Sequence, residues 1–316
     1  MAEPACTKDE FLALWQKHKG NAQIIAKELG LTSPRPVYER RRVLERNHGV
    51  ILKAGENELV KKLKRKPRIQ THVKNGIIIV GSDFHYWPGE PSTAHRAFLK
   101  FIRELRPSVV VLNGDVFDGA SISRWERIGW DSRPTVKQEL DACTERLTEI
   151  EDVAKGAERY WPLGNHCARF ETFLAKHAPQ YEGIEFFSLK DRFPKWKPCW
   201  SLHVNENAVI KHRFKGGIHA VHNNAMWAGR SYVTGHLHSL KVSPFSDLNG
   251  TRYGVDTGTM ADVYGDQFVD YTEDSPKNWR SGFAVLTFWN GKLLWPELVH
   301  VIEGGKVEFR GKVYDV

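Results

Sequence analysis

Acidic, amide and imidazole side chains occur in five short groups along this chain, and together they are suited to binding divalent cations. Carboxylate oxygens, amide oxygens and imidazole nitrogens are common ligands of such ions. Two neighbouring cations need ligands from several strands, one shared carboxylate, and open positions for water and substrate. Any one of these residues alone is more often structural, so the prediction depends on the whole set. The groups are Asp83-Phe84-His85, Gly114-Asp115-Val116-Phe117-Asp118, Gly164-Asn165-His166, His212 and Gly235-His236-Leu237-His238.

The elements that must position these groups are strands, because an apolar run precedes each group. The ends of strands are where open α/β sheets place their ligands. Asp83 and His85 are only two residues apart, so the extended chain must bend there for both to reach one cation. Gly114 permits a sharp turn before Asp115, whose carboxylate is the predicted shared ligand. The apolar runs are Ile77–Val80, Val109–Leu112, Tyr160–Leu163, Val209–Ile210 and Tyr232–Val233.

The lone histidine is the least certain member of the set. His219 and His222 lie nearby and compete with His212. We prefer His212 because it directly follows the predicted strand Ala208–Lys211, whereas its two rivals fall within the helix predicted next.

The order of the predicted elements indicates the fold class. From Asn75 onward strands and helices alternate, and strands then dominate the second half of the chain. This order predicts an α/β fold, a two-sheet β-sandwich flanked by helices, over residues 75–316.

The five groups, in this order and with this spacing, closely resemble the motifs of the calcineurin-like metallophosphoesterase superfamily. The resemblance implies two divalent metal ions, with Mn²⁺ favoured and Fe, Zn or Mg as alternatives. It also implies that His166 donates a proton to the leaving oxygen and that Asp118 orients the His166 imidazole. The implied ligands of one metal are Asp83, His85, Asp115 and His238, and those of the other are Asp115, Asn165, His212 and His236.

Two positions depart from the pattern of that superfamily. Cys167 follows Gly164-Asn165-His166, where an acidic residue is common, and Gly119-Ala120 replaces an Arg-Gly pair that many of its phosphatases carry. The ligands are intact, but a common phosphate-binding arginine is missing, which weakens the interpretation as a protein phosphatase.

The first 50 residues have a different character. Residues 1–70 contain 16 Lys and Arg against 8 Asp and Glu, so they hold the whole net charge of +8. Such asymmetry is typical of a segment that binds a polyanion. Apolar spacing predicts three short helices in residues 1–50, the third rich in arginine, and this arrangement resembles a helix-turn-helix DNA-binding unit. A helical cap or a dimerisation hairpin is the alternative.

Residues 51–74 are predicted to be a basic linker, with six basic residues in the eight positions 61–68. Such a run can hold phosphates without regard to base sequence, or it can serve only as a solvated tether. DNA is therefore the expected partner. The expected contacts are Arg35, Arg40, Arg41, Arg42, Lys61, Lys62, Lys64, Arg65 and Lys66.

Composition indicates where in the cell the protein is expected. No apolar run is long enough to span a bilayer, and the first ten residues lack the apolar centre of a signal peptide. The four cysteines are scattered without paired spacing, which indicates reduced thiols and a cytoplasmic location. Whether the chain forms a homo-oligomer is left open.

Three functions follow from these patterns. The first is a two-metal phosphodiesterase or nuclease that a basic N-terminal module brings to DNA. The second is a phosphomonoesterase acting on a nucleotide or a phosphoprotein. The third is a DNA-binding regulator with an idle phosphoesterase fold, which the intact ligand set disfavours.

Overall fold

The computed structural model describes residues 6–52, 67–124, 132–185, 187–272, 275 and 277–316. The chain forms two compact units, Met1–Arg65 and Lys66–Val316. No helix in the described part of the chain combines the length and the apolar character needed to cross a bilayer. Five predicted DNA contacts lie outside the described residues, namely Lys61, Lys62, Lys64, Arg65 and Lys66.

Three helices occupy the described part of the first unit: α1 (Lys8–Lys17), α2 (Ala22–Glu28) and α3 (Arg35–His48). A capping box begins α1, since Thr7 Oγ1 accepts from Glu10 N and the Glu10 carboxylate accepts from Thr7 N. Asn21 caps α2 through its side-chain oxygen. The buried core of this unit includes Phe11, Trp15, Ile25, Val37 and Leu44.

The arginines of α3 differ in how far they are exposed. Arg40 and Arg41 are half-buried. Arg41 Nε donates to Glu45 Oε1 at 3.0 Å, and its guanidinium lies 5.4 Å from the centroid of the Trp15 ring. These contacts hold Arg41 against the helical core, so part of its role is structural. The predicted DNA contacts that are exposed on α3 are Arg35 and Arg42.

A nine-stranded sheet forms one layer of the second unit. Its strand order is β15-β14-β13-β11-β2-β3-β4-β5, with β12 paired to β11. The segment β2-β3-β4-β5 is parallel, and β11 lies antiparallel to β2. The strands are β2 (Gly76–Gly81), β3 (Val109–Leu112), β4 (Glu158–Pro162), β5 (Lys197–Cys199), β11 (Gly282–Trp289), β12 (Lys292–Leu293), β13 (Glu297–Glu303), β14 (Lys306–Phe309) and β15 (Lys312–Asp315).

A six-stranded sheet forms the other layer, in the order β1-β6-β7-β8-β10-β9. Its central strands β7 and β8 are parallel. The strands are β1 (Arg68–Thr71), β6 (Ser201–Val204), β7 (Ala208–Ile210), β8 (Ser231–Thr234), β9 (Lys241–Asp247) and β10 (Gly250–Asp256).

Alternation along β2 shows how the layers pack. Ile78 and Val80 join Leu202 and Val233 of the six-stranded sheet in one buried cluster. Ile79 points the opposite way and packs in the cluster that contains helix residues such as Phe98 and Phe101. The predicted two-sheet α/β fold with flanking helices is confirmed. The helices are α4 (Thr93–Leu105), α5 (Val136–Val153), α6 (Cys167–His177), α7 (Leu189–Arg192), α8 (Ala220–Ala228) and α9 (Asp266–Thr272), with 3₁₀ turns at Ala120–Ile122 and Pro179–Tyr181.

Two parts of the sheets differ from the predicted elements. Strand β1 lies within the segment predicted as linker, and it pairs in parallel with β6. Four residues are too few for a periodic signal to reveal such a strand. The β9–β10 hairpin has no counterpart among the predicted strands, since Pro244 interrupts its pattern. Proline is tolerated there because β9 is an edge strand.

Candidate metal centre

Every predicted ligand group begins within three residues of the end of a strand. Asp83, Asp115 and Asn165 follow the parallel neighbours β2, β3 and β4 of the nine-stranded sheet. His212 and His236 follow the parallel neighbours β7 and β8 of the six-stranded sheet. Because parallel neighbours end at the same edge of a sheet, each sheet gathers its groups at one edge.

The groups meet in three clusters of possible metal ligands. Within each cluster, one ligand atom from every member lies within 4.8 Å of the others. Eight of the nine predicted ligands and catalytic residues belong to these clusters, and Asn165 is the exception. The clusters are Asp83 with His85 and His238, Asp115 with His212 and His236, and His85 with Asp118 and His166.

Asp83 is the centre of the first cluster and is fully buried. Its Oδ1 lies 3.0 Å from His238 Nε2 and 3.9 Å from His85 Nε2. Its Oδ2 accepts from Ser82 Oγ at 2.6 Å and from His236 N at 2.8 Å. One carboxylate oxygen is thus held by the protein, while the other is directed at the imidazoles.

His212 connects the second cluster to the first. Its Nδ1 lies 2.7 Å from Asn113 O, a carbonyl that can only accept, so Nδ1 carries the proton. Its Nε2 lies 3.0 Å from Asp115 Oδ2 and 3.8 Å from Asp83 Oδ1. The two carboxylates therefore face one imidazole. The role of Asp115 as the ligand shared by two cations stays a prediction.

Asp118 orders the third cluster. Its Oδ1 lies 2.6 Å from His85 Nδ1 and 2.9 Å from His166 Nδ1. Burial would raise the pKa of Asp118, but the hydrogen bonds from His166 and His85 hold it well below its usual range. The carboxylate is therefore ionised and accepts from both rings. This arrangement directs Nε2 of each imidazole away from Asp118, and Nε2 of His166 lies 2.9 Å from Arg169 Nη2.

Two buried atoms of predicted ligands fit a metal ion because no hydrogen-bond partner satisfies them. Among the described residues, Asn165 Oδ1 and His238 Nδ1 are in this state. A buried polar atom without a partner costs about 1–3 kcal/mol. Coordination of a cation would relieve that cost at both residues.

The backbone at the site is in a conformation that side chains other than glycine rarely adopt. The φ angles are +53° at Asp83, +41° at His85, +47° at Asp115, +70° at His236 and +54° at His238. Such residues cost on the order of 1–3 kcal/mol each and cluster at functional sites. The bend predicted between Asp83 and His85 is present, and it directs both side chains into one cluster.

Two glycines allow the turns to approach closely. Gly114 has a φ of +86°, and a Cβ there would lie 2.3 Å from His212 Nδ1. At Gly235 a Cβ would lie 2.2 Å from Ser82 Oγ and 2.4 Å from Asp83 Oδ2. The glycines in these motifs are thus required by the packing of the ligands themselves.

The electrostatics of the cluster favour positive charge. Burial would lower the pKa of His212, but the Asp115 and Asp83 carboxylates raise it to about 9. Burial would likewise raise the pKa of Asp115, yet His212 and His166 hold it well below its usual range. Buried anions need such compensation, and divalent cations would supply it more fully than an imidazolium.

The rivals of His212 lie elsewhere. His219 is exposed immediately before α8, and His222 Nδ1 lies 3.3 Å from Ser243 Oγ. Neither belongs to a ligand cluster of the described residues. The preference for His212 agrees with this geometry.

Two residues near the site have no counterpart among the predicted ones. Arg169 on α6 donates through Nη1 to Asp118 O at 3.0 Å, and its Nη2 lies 2.9 Å from His166 Nε2. Glu139 on α5 is fully buried and accepts from Gly119 N and Ala120 N. Burial raises the pKa of Glu139 to about 8. The position of Arg169, three residues after His166 on a helix, was the available signal.

A cavity of about 640 Å³ adjoins the second and third clusters. Asn165, His166 and His236 form the part of its wall that belongs to the candidate metal centre. Its basic lining residues are Arg124, Arg169, Lys176 and Arg213. A substrate in this cavity would reach the candidate ligands and the candidate proton donor together.

Comparisons with known proteins give the following relatives. No protein-family model matches the chain. The gene 54 proteins of Mycobacterium phages L5 and D29 are each 26% identical to it over 269 residues, spanning 76% of this chain and 98% of theirs.

Similar solved structures include Yfce, a phosphoesterase from E. coli, at 12% identity and a TM-score of 0.34, covering 70% of this chain and 97% of that one. Vps29 of Chaetomium thermophilum has 9% identity and a TM-score of 0.38, covering 76% and 98%. A dimetal phosphatase from Danio rerio has 12% identity and a TM-score of 0.36, covering 71% and 94%.

The residues of the sequence motifs also meet in the structure. Asp83 and Asp115 meet His212, while His85 and His166 share Asp118. The chain is thus a mixed α/β protein in which two sheets bring together the motifs of the calcineurin-like metallophosphoesterase superfamily, and this is the superfamily that it resembles.

Proposed function

We propose that the protein is a two-metal phosphodiesterase that hydrolyses nucleic acid, with DNA as the favoured substrate. The observation that carries the proposal is the meeting of two ligand clusters with a third cluster that contains His166 and Asp118. Two clusters fit two cations, and a histidine beside them fits a proton donor.

The residues that would hold the metals are those of the two clusters together with Asn165. The chemistry that two bound divalent cations supply is neutralisation of phosphate charge and activation of water. Asp83 is positioned by Ser82, and His212 is fixed in one tautomer by Asn113 O. Such partners of the ligands fix ring orientation and increase ligand basicity.

His166 is the proposed general acid. Asp118 holds its Nδ1, so Nε2 is the atom that can deliver a proton to the leaving oxygen. The Asp115 and Asp118 carboxylates raise the pKa of His166 although burial opposes them, which keeps the ring protonated over a wider pH range. Arg169 Nη2 lies 2.9 Å from the same nitrogen and can only donate, so the guanidinium must turn to a phosphate oxygen before Nε2 can carry the proton.

The basic cavity supports a substrate that carries phosphates beyond the scissile one. It extends past His166 along α6 to Lys176, so its basic lining continues beyond the candidate metal centre. The excess positive charge of residues 1–70 further supports a polyanionic substrate. DNA as a partner, Mn²⁺ as the metal and the helix-turn-helix role of the first unit all belong to this proposal.

Comparison of a diester with a monoester tests the proposal. Hydrolysis of bis(p-nitrophenyl) phosphate and of p-nitrophenyl phosphate is measured with and without Mn²⁺, and the diester is expected to have the higher metal-dependent kcat/KM. A preference for the monoester would identify a phosphomonoesterase. Lack of hydrolysis of both with Mn²⁺, Fe²⁺, Zn²⁺ or Mg²⁺ would favour a regulator with an idle fold.

Asp115→Asn tests the role of the second cluster. Losing this buried charge should remove most bound metal and most activity together, because a shared carboxylate serves both cations. Metal content is measured by elemental analysis after gel filtration, with the exposed Asp141→Asn on α5 as control. Two tightly bound metals with near-normal turnover would contradict the assignment.

A further inference from the structure

One face of α6 lines the cavity beside the candidate metal centre. Arg169, Thr172, Phe173 and Lys176 recur at helical spacing i, i+3, i+4 and i+7, and all four line the cavity. Arg213, which follows His212, also lines it. The volume of about 640 Å³ falls in the range of about 300–1,000 Å³ typical of ligand pockets, so it holds more than one phosphate.

The charge of the cavity suits an anion. Asp and Glu are absent from the lining residues in the described part of the chain. Lys176 and Arg213 are exposed, and neither has a carboxylate within 4.0 Å among the described residues. Arg169, by contrast, is already bonded to Asp118 O. Lys176 and Arg213 are therefore available to bind a phosphate beyond the scissile one.

An aromatic surface lies beside these cations. The side chain of Phe173 is 39% exposed. Its ring centroid lies 4.6 Å from that of His177, with 37° between the planes. Exposed aromatic rings next to basic groups are the usual means of binding unpaired nucleic-acid bases, since every base has a face that can stack.

We infer that this cavity is a subsite for single-stranded nucleic acid. In it Lys176 and Arg213 bind the phosphate next to the scissile one, and Phe173 stacks on the intervening base. This inference deepens the proposed function and rests on it for the position of the scissile phosphate. It commits to an unpaired strand because a base inside a duplex does not present its face to a side chain.

The test compares two diesters with the full-length protein and Mn²⁺. The substrates are a single-stranded thymidine tetranucleotide and bis(p-nitrophenyl) phosphate, which has no second phosphate and no base. The variants are Phe173→Ala and the double variant Lys176→Ala with Arg213→Ala. The matched control is Lys292→Ala, an exposed cation on β12 that does not line the cavity.

We expect kcat/KM for the tetranucleotide to fall about tenfold further than kcat/KM for the small diester in both cavity variants. Lys292→Ala should leave both values unchanged. Equal losses on the two substrates, or no extra loss on the tetranucleotide, would overturn the subsite. A loss confined to the double variant would overturn the stacking role of Phe173 and indicate a site for phosphate alone.

A binding measurement separates this inference from the proposed function. If the wild type hydrolyses neither diester, the proposed function fails. The affinity for a fluorescently labelled thymidine tetranucleotide, measured by fluorescence anisotropy, then tests the subsite without any hydrolysis. An affinity that falls about tenfold in the cavity variants but not in Lys292→Ala would support the subsite, and equal affinity in all four proteins would overturn it.

Discussion

At the scale of single residues, hydrogen bonds at Nδ1 determine what the imidazoles can do. His85 and His166 place Nδ1 on Asp118, and His212 places Nδ1 on Asn113 O. Each bond orients its ring so that Nε2 faces the candidate site. The same kind of bond at Nδ1 thus occurs in the predicted ligands His85 and His212 and in the predicted proton donor His166. The position of Nε2 distinguishes the two roles.

His166→Ala should separate chemistry from metal binding. Because the proposed role of His166 is to donate a proton and not to bind a metal, the variant should keep both metals. Its turnover should fall by about 10²- to 10⁴-fold. The loss should shrink for substrates whose leaving groups need no proton. Metal content and turnover are measured together, with the exposed His72→Ala as control. Lower metal occupancy would make His166 a ligand instead.

His95 gives a prediction for the dependence of stability on pH. This buried ring lies 2.9 Å from the Tyr86 hydroxyl and 2.7 Å from the Glu149 carboxylate. Burial lowers its pKa from 6.5 to about 4, so the unfolded chain binds a proton first as pH falls. The stability that neutral His95 contributes is present above pH 6.5 and is lost as pH falls toward 4, by about 3 kcal/mol in all.

Urea unfolding at pH values of about 7 and about 4.5 measures this effect. The wild type should lose more free energy of unfolding between the two conditions than His95→Gln, which cannot titrate. Comparing the two proteins removes the contribution of all other acid-sensitive groups, including those of the candidate metal centre. Equal losses would show that His95 does not carry the dependence.

At the scale of elements, the short turns after the strands do most of the positioning. Backbone of positive φ at Asp83, His85 and His238 accompanies the turns that bring their side chains into one cluster. Gly235 brings the turn after β8 against the turn after β2. The strands determine where the turns begin, while close packing between turns determines the geometry of the ligands.

Gly235→Ala should therefore damage the site. Its Cβ would lie 2.4 Å from Asp83 Oδ2, so the carboxylate must move. We expect reduced metal content and a free energy of unfolding lower by about 1–3 kcal/mol. Gly216→Ala is the matched control, because nothing lies within 4 Å of its Cβ and its φ is not in the left-handed region. Equal metal content in both variants would contradict this account.

The strands that carry ligands could be predicted from sequence because their apolar runs are short, continuous and followed by polar groups. That prediction located β2, β3 and β4, and it placed His212 after β7. Strand β1 and the β9–β10 hairpin gave weaker signals. The Asn249-Gly250 pair is typical of a hairpin turn, but the proline in β9 obscured the alternation beside it.

The residues that support the site could not be predicted, because their role depends on contacts distant in sequence. Glu139 binds the backbone at Gly119 across 20 residues, and Ser82 contacts Thr257 across 175. No local sequence pattern predicts contacts between residues so far apart in the chain. Arg169 differs, since its helical spacing from His166 makes it visible once α6 is predicted.

At the scale of the whole molecule, most of the net positive charge lies in the first unit. Removal of this unit tests whether its charge contributes to DNA binding. Deletion should end at residue 65, because deletion to residue 70 would remove most of β1. The shortened protein should bind DNA more weakly and with a flatter dependence on salt, while hydrolysis of a small diester stays nearly unchanged.

Affinity for a DNA fragment across a series of salt concentrations measures this effect. The double variant Arg35→Ala with Arg42→Ala, which removes exposed arginines of α3, should reproduce part of the loss. If the shortened protein binds DNA as tightly as the full chain at every salt concentration, the first unit is a protein-contact or solubility element.

The ligand clusters draw on both sheets, and this has a consequence for the order in which the protein folds. Asp83 and His238, which share one cluster, are 155 residues apart in the chain. Neither sheet alone can form that cluster, so tight metal binding begins only after the two layers have packed. During synthesis the chain must extend past His238 before the cluster can close. Metal uptake would then mark the end of folding and lock the two layers together.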